Sequence, residues 1–497
     1  MEYFDPTIAS PLQVPGLSDL VGGDVYLTSS HRRWAPAYKK EFQPRVGLAY
    51  RLTNTTVLRA GYGIFFNPPM YGPGSVPTGM DGYGPTTPWE TTWNYNLATP
   101  GPPISNPWPG GPILPFGSSE GALTQVGFSP SGFLQSWNKE GYTQAWNLGV
   151  QRQLPGNVLI EADYVANKGT DLPFGSFTNL NYLGPWVEKA SAAQINALEA
   201  PVANPFYGII TNPTSGLSGP TIPQYQLDVP FPQFTGLSLV DAPFAGSNYQ
   251  SFQLKIEKRF SQGLQFLASY TNSKSLDQGS TSDPGSVHYG GWTHLSDPNN
   301  LRLEWALSAF DLPQVLKLAY VYELPFGRTK HFGANWSPWV NGLLGGWQTN
   351  GNWMFDDGFP MELNQSGGTP LPTYPSQQPD LLAPLQRNHG SGWMQNYFSN
   401  PQVAVMASPF TIGTAPPVIP NVRQPGTNNA DLSVFKEFPL SGLREGAHLQ
   451  FRVESYNVFN HPQFFGPNTT VASGSFGLIT SQRNTPREVQ LALKLYW

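Results

Sequence analysis

YQSFQLKIEKRFSQGLQFLASYTNSKSLD, residues 249–277, carries the pattern that decides the fold. Phe252, Leu254 and Ile256 alternate with Gln253, Lys255, Glu257 and Arg259. A period of two belongs to a β-strand, whose successive side chains point to opposite faces of a sheet. After the turn SQG the alternation resumes at Leu264, Phe266, Ala268 and Tyr270, so the two runs read as a hairpin. One face is greasy and the other polar or charged over about ten residues, the length that crosses a bilayer at the usual tilt of a barrel strand. A water-exposed antiparallel sheet alternates in the same way, but ordinary strands average only about five or six residues.

The unit repeats along the chain. Val46, Leu48, Tyr50 and Leu52 alternate with Arg45, Gly47, Ala49 and Arg51; after TNTT the run continues through Leu58, Ala60, Tyr62, Ile64 and Phe66, with Arg59 on the other side. Trp146, Leu148 and Val150 lead through LPGN to Val158, Ile160, Ala162 and Tyr164, with Glu161 and Asp163 facing away. The second strands GNVLIEADY and GLQFLASY both open on Gly and share an apolar-x-A-x-Y core, Ile160–Tyr164 and Phe266–Tyr270. Further strands are predicted at residues 315–324, 347–355, 432–438, 449–459 and 489–497, about eleven in all. Arg452 and Glu454 fall on the polar side of the fourth of these. The last is the most regular, with Val489, Leu491, Leu493, Leu495 and Trp497 on one face and Gln490, Ala492, Lys494 and Tyr496 on the other.

Connections alternate between short and long. TNTT, LPGN and SQG are tight, whereas the links between residues 67 and 143, 166 and 248, and 356 and 430 each exceed about seventy residues. Transmembrane barrels have this asymmetry, with short periplasmic turns and long extracellular loops, and compact soluble domains rarely tolerate structureless links beyond about 15 residues. Most of the 52 Gly and 51 Pro fall in the links. The aromatic content, 13% of the chain, is too high for passive spacers, so the links are expected to be surface loops that order when occupied.

Composition excludes other classes. Charged residues are 12% of the chain, about half the level of a soluble domain. No apolar run is long enough for a transmembrane helix, and a mean hydropathy of -0.31 hides a barrel from such a test. The absence of cysteine rules out a disulfide scaffold, a Cys zinc site and a thiol nucleophile, and a net charge of -5 offers nucleic acid no basic field. The opening MEYFDPTIASPLQVPG lacks the basic and apolar regions of an export signal.

Chemical motifs are weak. GSSEG at residues 117–121 matches a nucleophile elbow, but no strand precedes it and no helix follows, so Ser119 receives no catalytic role. His288 and His294 lie near Asp283 and Asp297 without metal-ligand spacing, and Asp356 with Asp357 lacks the spacing of a calcium loop. No cofactor, metal or covalent chemistry is expected. Tyr62, Tyr164, Tyr270, Tyr322, Trp353 and Trp497 sit near strand ends, where interfacial rings anchor a barrel. Trp89, Trp93, Trp108 and Trp292 lie in the links, either packing them together or stacking on a ligand.

FQPRVGLAYRLTNTTVLRAGYGIFFNPP, AWNLGVQRQLPGNVLIEADYVANKGTDL, the stretch at 249–277, VYELPFGR with LLGGWQTNGNWMFDDGFPMEL, and FRVESYNVFNHPQFFGPN with REVQLALKLYW together resemble the TonB-dependent receptors of the Oar-like branch. The resemblance implies an all-β fold: a transmembrane antiparallel β-barrel, of which this chain carries about 11–12 of about 22 strands. Residues 42–497 would be the C-terminal part of that barrel and residues 1–41 a loop or strand remnant of its upstream part, the plug, signal peptide and TonB-contacting segment being without counterpart. Arg45, Arg59, Glu161, Asp163, Lys255, Glu257, Arg259, Arg452 and Glu454 would line the lumen. Val489, Leu491, Leu493, Leu495 and Trp497 would be the signal read by the barrel assembly machinery, with Trp497 where Phe is more usual. Implied partners are outer-membrane lipid of a Gram-negative-type bacterium, the TonB complex and a bulky ligand such as a siderophore, glycan or peptide. Two alternatives are a passive porin or adhesin barrel and a soluble secreted carbohydrate-binding β-protein. A half barrel alone is expected to transport nothing.

Overall fold

Alternation becomes strand pairing in the computed structural model, which describes residues 2–30, 32–33, 38–67, 81–84, 87, 102–137, 139–174, 179–239, 242–280, 297–440, 442 and 444–497. The first two strands, β1 (Glu2–Ala9) and β2 (Val21–Tyr26), pair with each other outside the main sheet, and Phe4 of β1 also bridges to Leu134, its N–H donating to the Phe133 carbonyl at 3.0 Å. The main sheet begins with the hairpins β3 (Arg45–Thr53) with β4 (Thr56–Asn67), β5 (Gly141–Leu154) with β6 (Val158–Phe174), and β7 (Ala242–Ser261) with β8 (Leu264–Gln278). It continues through β9 (Trp305–Leu307), β10 (Gln314–Glu323), β11 (Trp347–Asp356), β12 (Thr427–Pro439), β13 (His448–Tyr456) and β14 (Glu488–Tyr496).

These form one 12-stranded antiparallel meander in which each strand lies beside its neighbour in sequence. Short β9 is the exception. It pairs with β8 at Leu276 to Gln278, while β10 pairs with the same edge of β8 at Leu264 to Asn272. Hence β9 and β10 are two pieces of one strand broken at residues 308–313, and the sheet is eleven strands wide, as the alternation predicts. The two-residue turn between β7 and β8 needs positive φ at both positions, supplied by Gln262 (52°) and Gly263 (78°), which matches the right-handed twist of the flanking strands.

Register carries each face across the sheet. Leu48, Ala60, Leu148, Tyr164 and Phe252 stand opposite one another in sequence from β3 to β7, and one step along lie Ala49, Arg59, Gly149, Asp163 and Gln253. A slip of one residue would exchange the two rows, so the pattern of the strands fixes their pairing. The 17 residues of β6 and 20 of β7 exceed a bilayer crossing, and the surplus projects about 20 Å or more beyond it at the long-link end.

The apolar face of the sheet is bare. Val46, Leu48, Tyr50, Leu491 and Leu493 are all more than half exposed. Buried residues gather in the links. Phe4, Phe133, Leu134, Trp137, Phe231 and Phe234 form one cluster, in which Phe4 meets Phe231 edge-on at 5.4 Å. The hairpin β1–β2 is thereby packed against the links rather than into the main sheet. A second cluster joins Met361, Leu363, Leu385, Tyr397 and Phe398 to Val471 and Ile479. Helix α1 (Ala192–Glu199), capped by a Ser191–Gln194 box, buries Ile195 and Leu198 beside Leu371 and Tyr374 of another link. The described parts of the links therefore hold cores of their own. Loops that order only when occupied were expected; the Phe, Tyr and Leu side chains instead bury one another across links far apart in sequence.

Candidate functional site

The polar face of the sheet is the candidate site, because it gathers the charges that a lipid-facing surface excludes. The register puts Arg45, Arg59, Glu161, Asp163, Lys255, Glu257, Arg452 and Glu454 on this one face, and Arg259 joins them through its contact with Glu257. On β4 to β6, Asp163 lies over Gly149: a Cβ there would stand 1.7 Å from its Oδ1. On β6 and β7, Lys255 Nζ is 3.3 Å from Glu161 Oε2 and 3.3 Å from Glu257 Oε2, and Arg259 Nε is 3.8 Å from Glu257 Oε1. On β13 and β14, Arg452 lies 3.0 Å from Glu454 Oε1 and 4.8 Å above the Phe435 ring, and Gln490 donates to Glu454. Partly exposed pairs of this kind stabilise a fold by only about 0–1 kcal/mol each. What they do is give the wall alternating charge sign, with cation and carboxylate paired along the strands.

Two hollows open against this face. One of about 500 Å³ is lined by Gln265, Ala319, Asn350, Ser433, Arg452 and Glu454 among others, and one of about 800 Å³ by Thr427, Asn429, Gln463, Arg483 and Asn484. They share Asn352, Asp431 and Tyr456, so they form one polar track from the middle of the sheet to the link between β13 and β14. Asn457 (φ 47°) closes its upper end. Its backbone N–H donates to Asp431 Oδ1 at 2.9 Å, its Oδ1 accepts from His461 N at 2.8 Å, and its Nδ2 donates to the carbonyls of His461 and Thr485. Sequence reading missed Asn457, Asp431 and Arg483: Asn457 directly follows β13, Asp431 lies in β12 ahead of its predicted start at residue 432, and Arg483 lies in the β13–β14 link, where no period marks a residue. An Asn directly after a strand, a residue type that tolerates positive φ, was the available signal.

A second polar centre lies among the links. Asp81 Oδ2 accepts from Ser131 N at 2.6 Å, and its own N–H donates to Glu2 Oε1 at 2.7 Å. Asp24 is 2% exposed and neither of its carboxylate oxygens has a hydrogen-bond partner. Burial pushes Glu2 up to about 7 against the backbone hydrogen bond it accepts from Asp81, and burial with the charges of Asp81 and Glu2 pushes Asp24 up to about 9. These carboxyls hold protons at neutral pH or near it. Among the described residues no group of three or more His, Cys, Asp or Glu is arranged to hold a metal ion.

Other residues singled out from sequence are dispersed. Trp108 is 42% exposed in its link, and Trp89, Trp93, Trp292, His288 and His294 lie outside the described residues. Ser119 Oγ donates to the Phe116 carbonyl at 2.7 Å and precedes a single 3-10 turn, Gly121–Leu123. Asp356 is buried, its Oδ1 accepting from Thr427 N at 3.0 Å, where it closes the neck of a link. Val489, Leu491, Leu493 and Leu495 share one face of edge strand β14, with Trp497 just past its end and 81% exposed. Tyr62 and Trp353 present their rings on the apolar face while the hydroxyl reaches Gln144 and the indole Nε1 reaches Asn428 at 2.8 Å.

Among solved structures, the chain is similar to the siderophore receptor PirA from Acinetobacter baumannii, with 11% identity and a TM-score of 0.38 over 91% of this chain and 41% of that one. It is similar to the outer membrane transporter YddB from Escherichia coli, with 10% identity and a TM-score of 0.38 over 91% and 40%. The ferripyoverdine receptor of the outer membrane of Pseudomonas aeruginosa gives 12% identity and a TM-score of 0.35 over 91% and 32%. The chain thus spans between 32% and 41% of the length of these three. No curated protein matches it. Residues 1–490 match the family model described as outer membrane beta barrel domain. An antiparallel meander, apolar on one face and charged on the other, matched by that model over nearly its whole length, belongs to the outer membrane beta barrel domain family and to the bacterial outer membrane.

Proposed function

We propose that this chain is the C-terminal barrel portion, residues 42–497, of a TonB-dependent receptor that carries a bulky ligand across the outer membrane. One observation carries the reading: two adjoining hollows, which share Asn352, Asp431 and Tyr456, follow the charged face from the middle of the sheet to the links at one end. The motifs that resemble Oar-like receptors support the energy coupling. In this reading the link clusters, with Trp89, Trp93, Trp108 and Trp292, capture the ligand. The charged wall then passes it inward, its alternating signs offering paired donors and acceptors without a net field that would trap one charge type. The small residues Gly47 and Ala49 leave room on that wall for a plug or a solute. The TonB complex would act through a segment N-terminal to this barrel portion, the barrel assembly machinery would read β14 and Trp497, and no covalent step is needed.

The test is uptake by cells carrying the full gene, offered a panel of iron-55 siderophore complexes and labelled oligosaccharides. Accumulation of one probe that is lost on deletion of the gene, on deletion of TonB and on addition of a protonophore supports the proposal. Accumulation that survives both TonB deletion and the protonophore would replace it with a passive barrel.

A further inference from the structure

The connection between β10 and β11 is longer than the tight hairpin turns at the same end of the sheet, and it contains helix α2 (Pro338–Leu344). Ser337 caps it by accepting from Val340 N. Its inner side is fixed to the protein. Asn341 Oδ1 accepts from Arg328 N at 2.8 Å, and the Leu343 carbonyl accepts from Trp347 Nε1 at 2.9 Å. Lys436 donates to the carbonyls of Asn341, Gly342 and Gly345, the last at 2.5 Å.

The position of Lys436 places the helix. Register sets it opposite Trp347 and Phe451, and Phe451 opposite Leu493, which is the apolar face of the sheet. A cation there meets hydrocarbon unless it is compensated, and the partial negative charge of the final carbonyls of α2 compensates it. Lys436 is 4% exposed as a result. The helix is therefore pinned over the lipid side of the sheet at its short-turn rim.

Its outer side is apolar. At about 100° per residue, Trp339 and Leu343 fall opposite Asn341, with Val340 beside them and Leu344 between Val340 and Asn341. Trp339 is 90% exposed, Leu343 69% and Leu344 51%. We propose that α2 is an interfacial membrane anchor, which buries Trp339, Val340, Leu343 and Leu344 at the boundary of phospholipid headgroups and acyl chains in the leaflet on the short-turn side. The bilayer is the occupant because this surface is continuous with the sheet face that already meets lipid, and a Trp on a short amphipathic helix suits that depth. The inference rests on the outer-membrane placement of the chain and is independent of ligand uptake.

The chain has no cysteine, so a single introduced thiol takes a single label. Leu343→Cys, Asn54→Cys in the β3–β4 turn and Leu491→Cys on β14 are each labelled with an NBD fluorophore. The product of the full gene, with any cysteine outside this chain replaced by serine, is then reconstituted into phosphatidylethanolamine and phosphatidylglycerol vesicles containing 5-doxyl or 12-doxyl lipid. The label at residue 343 is expected to be quenched at least twofold by 5-doxyl lipid and less by 12-doxyl lipid, while that at residue 54 stays in water and that at residue 491 is quenched by both. A label at 343 that matches the one at 54, or that is blue-shifted but unquenched and so covered by protein or a second copy, would overturn the anchor. No quenching at 491 would remove the membrane placement and the anchor with it.

Discussion

Arg423, half-buried, forms an ion pair with the buried Asp311, Nη2 to Oδ2 2.5 Å, between residues 112 apart in sequence. Arg423 Nη1 also donates to the Asp311 carbonyl at 2.8 Å, and Asp311 Oδ1 accepts from Ser275 N at 2.6 Å. The pair ties the link between β11 and β12 to the break between β9 and β10. Asp311 is 1% exposed, so Arg423→Ala leaves a buried charge uncompensated, a loss of about 3–5 kcal/mol in comparable cases. Hydrogen exchange should read this as faster exchange across residues 357–426, with protection of β5 to β7 retained. Asp311→Asn added to Arg423→Ala should restore part of the protection. Equal protection in wild type and Arg423→Ala would show that the pair does not hold the link.

Two glycines separate wall from neck. A Cβ on Gly358 would lie 1.6 Å from the Gln424 carbonyl oxygen, a backbone atom that cannot swing aside. A Cβ on Gly149 would meet chiefly the carboxylate end of Asp163, which can rotate. Gly358→Ala should therefore cost about 1–3 kcal/mol, as overpacking does, and lower the melting temperature measured in detergent. Gly149→Ala should leave that temperature nearly unchanged while moving Asp163. If the two variants melt together, close backbone approach is not what selects glycine at residue 358.

The strands were legible because a sheet with one face in lipid and one in a polar interior must alternate, and alternation is written locally. Eight of the nine residues expected on a polar wall share one face of the sheet by that parity alone, and Arg259 lies next in the same row. The links were not legible. Leu183 packs in one cluster with Leu371, and Val471 with Leu385, contacts that leave no period in either segment. Strand ends beyond the bilayer were missed too, since in NKGTDLPF at the end of β6 no face needs to be apolar. Likewise β1 contains Pro6, which argues against a strand, yet β1 forms because Pro6 falls in the irregular stretch between the Asp5–Gly23 and Ala9–Val21 pairs, where no ladder bond is lost.

Glu2 and Asp24 make the β1–β2 hairpin sensitive to pH. Their folded-state values, about 7 and about 9, lie above those of an unfolded chain, near 4. The native state therefore binds more protons through this interval, and its stability falls as pH rises. The contribution is complete below about pH 4 and declines as pH rises above it, the share of Glu2 being used up by about pH 7 and that of Asp24 by about pH 9. Exchange of residues 2–26, corrected for intrinsic rates, should accelerate between pH 5 and pH 9, and Asp24→Asn should flatten the upper part of that rise. Protection that is constant or increases with pH would sink the assignment.

The edges of the main sheet bear on whether this chain acts alone. Among the described residues β3 and β14 each pair on one side only, to β4 and to β13, leaving two edges nine residues long. In hydrocarbon each unpaired backbone group costs several kcal/mol, so open edges are not tolerated and demand further strands. Purified chain added to a planar bilayer should accordingly give no conductance steps of uniform size. Nor should Leu48→Cys and Leu491→Cys, one on each edge strand, form an intramolecular disulfide under oxidation. Uniform steps together with that disulfide would mean that β3 and β14 meet, and that eleven strands close a barrel unaided.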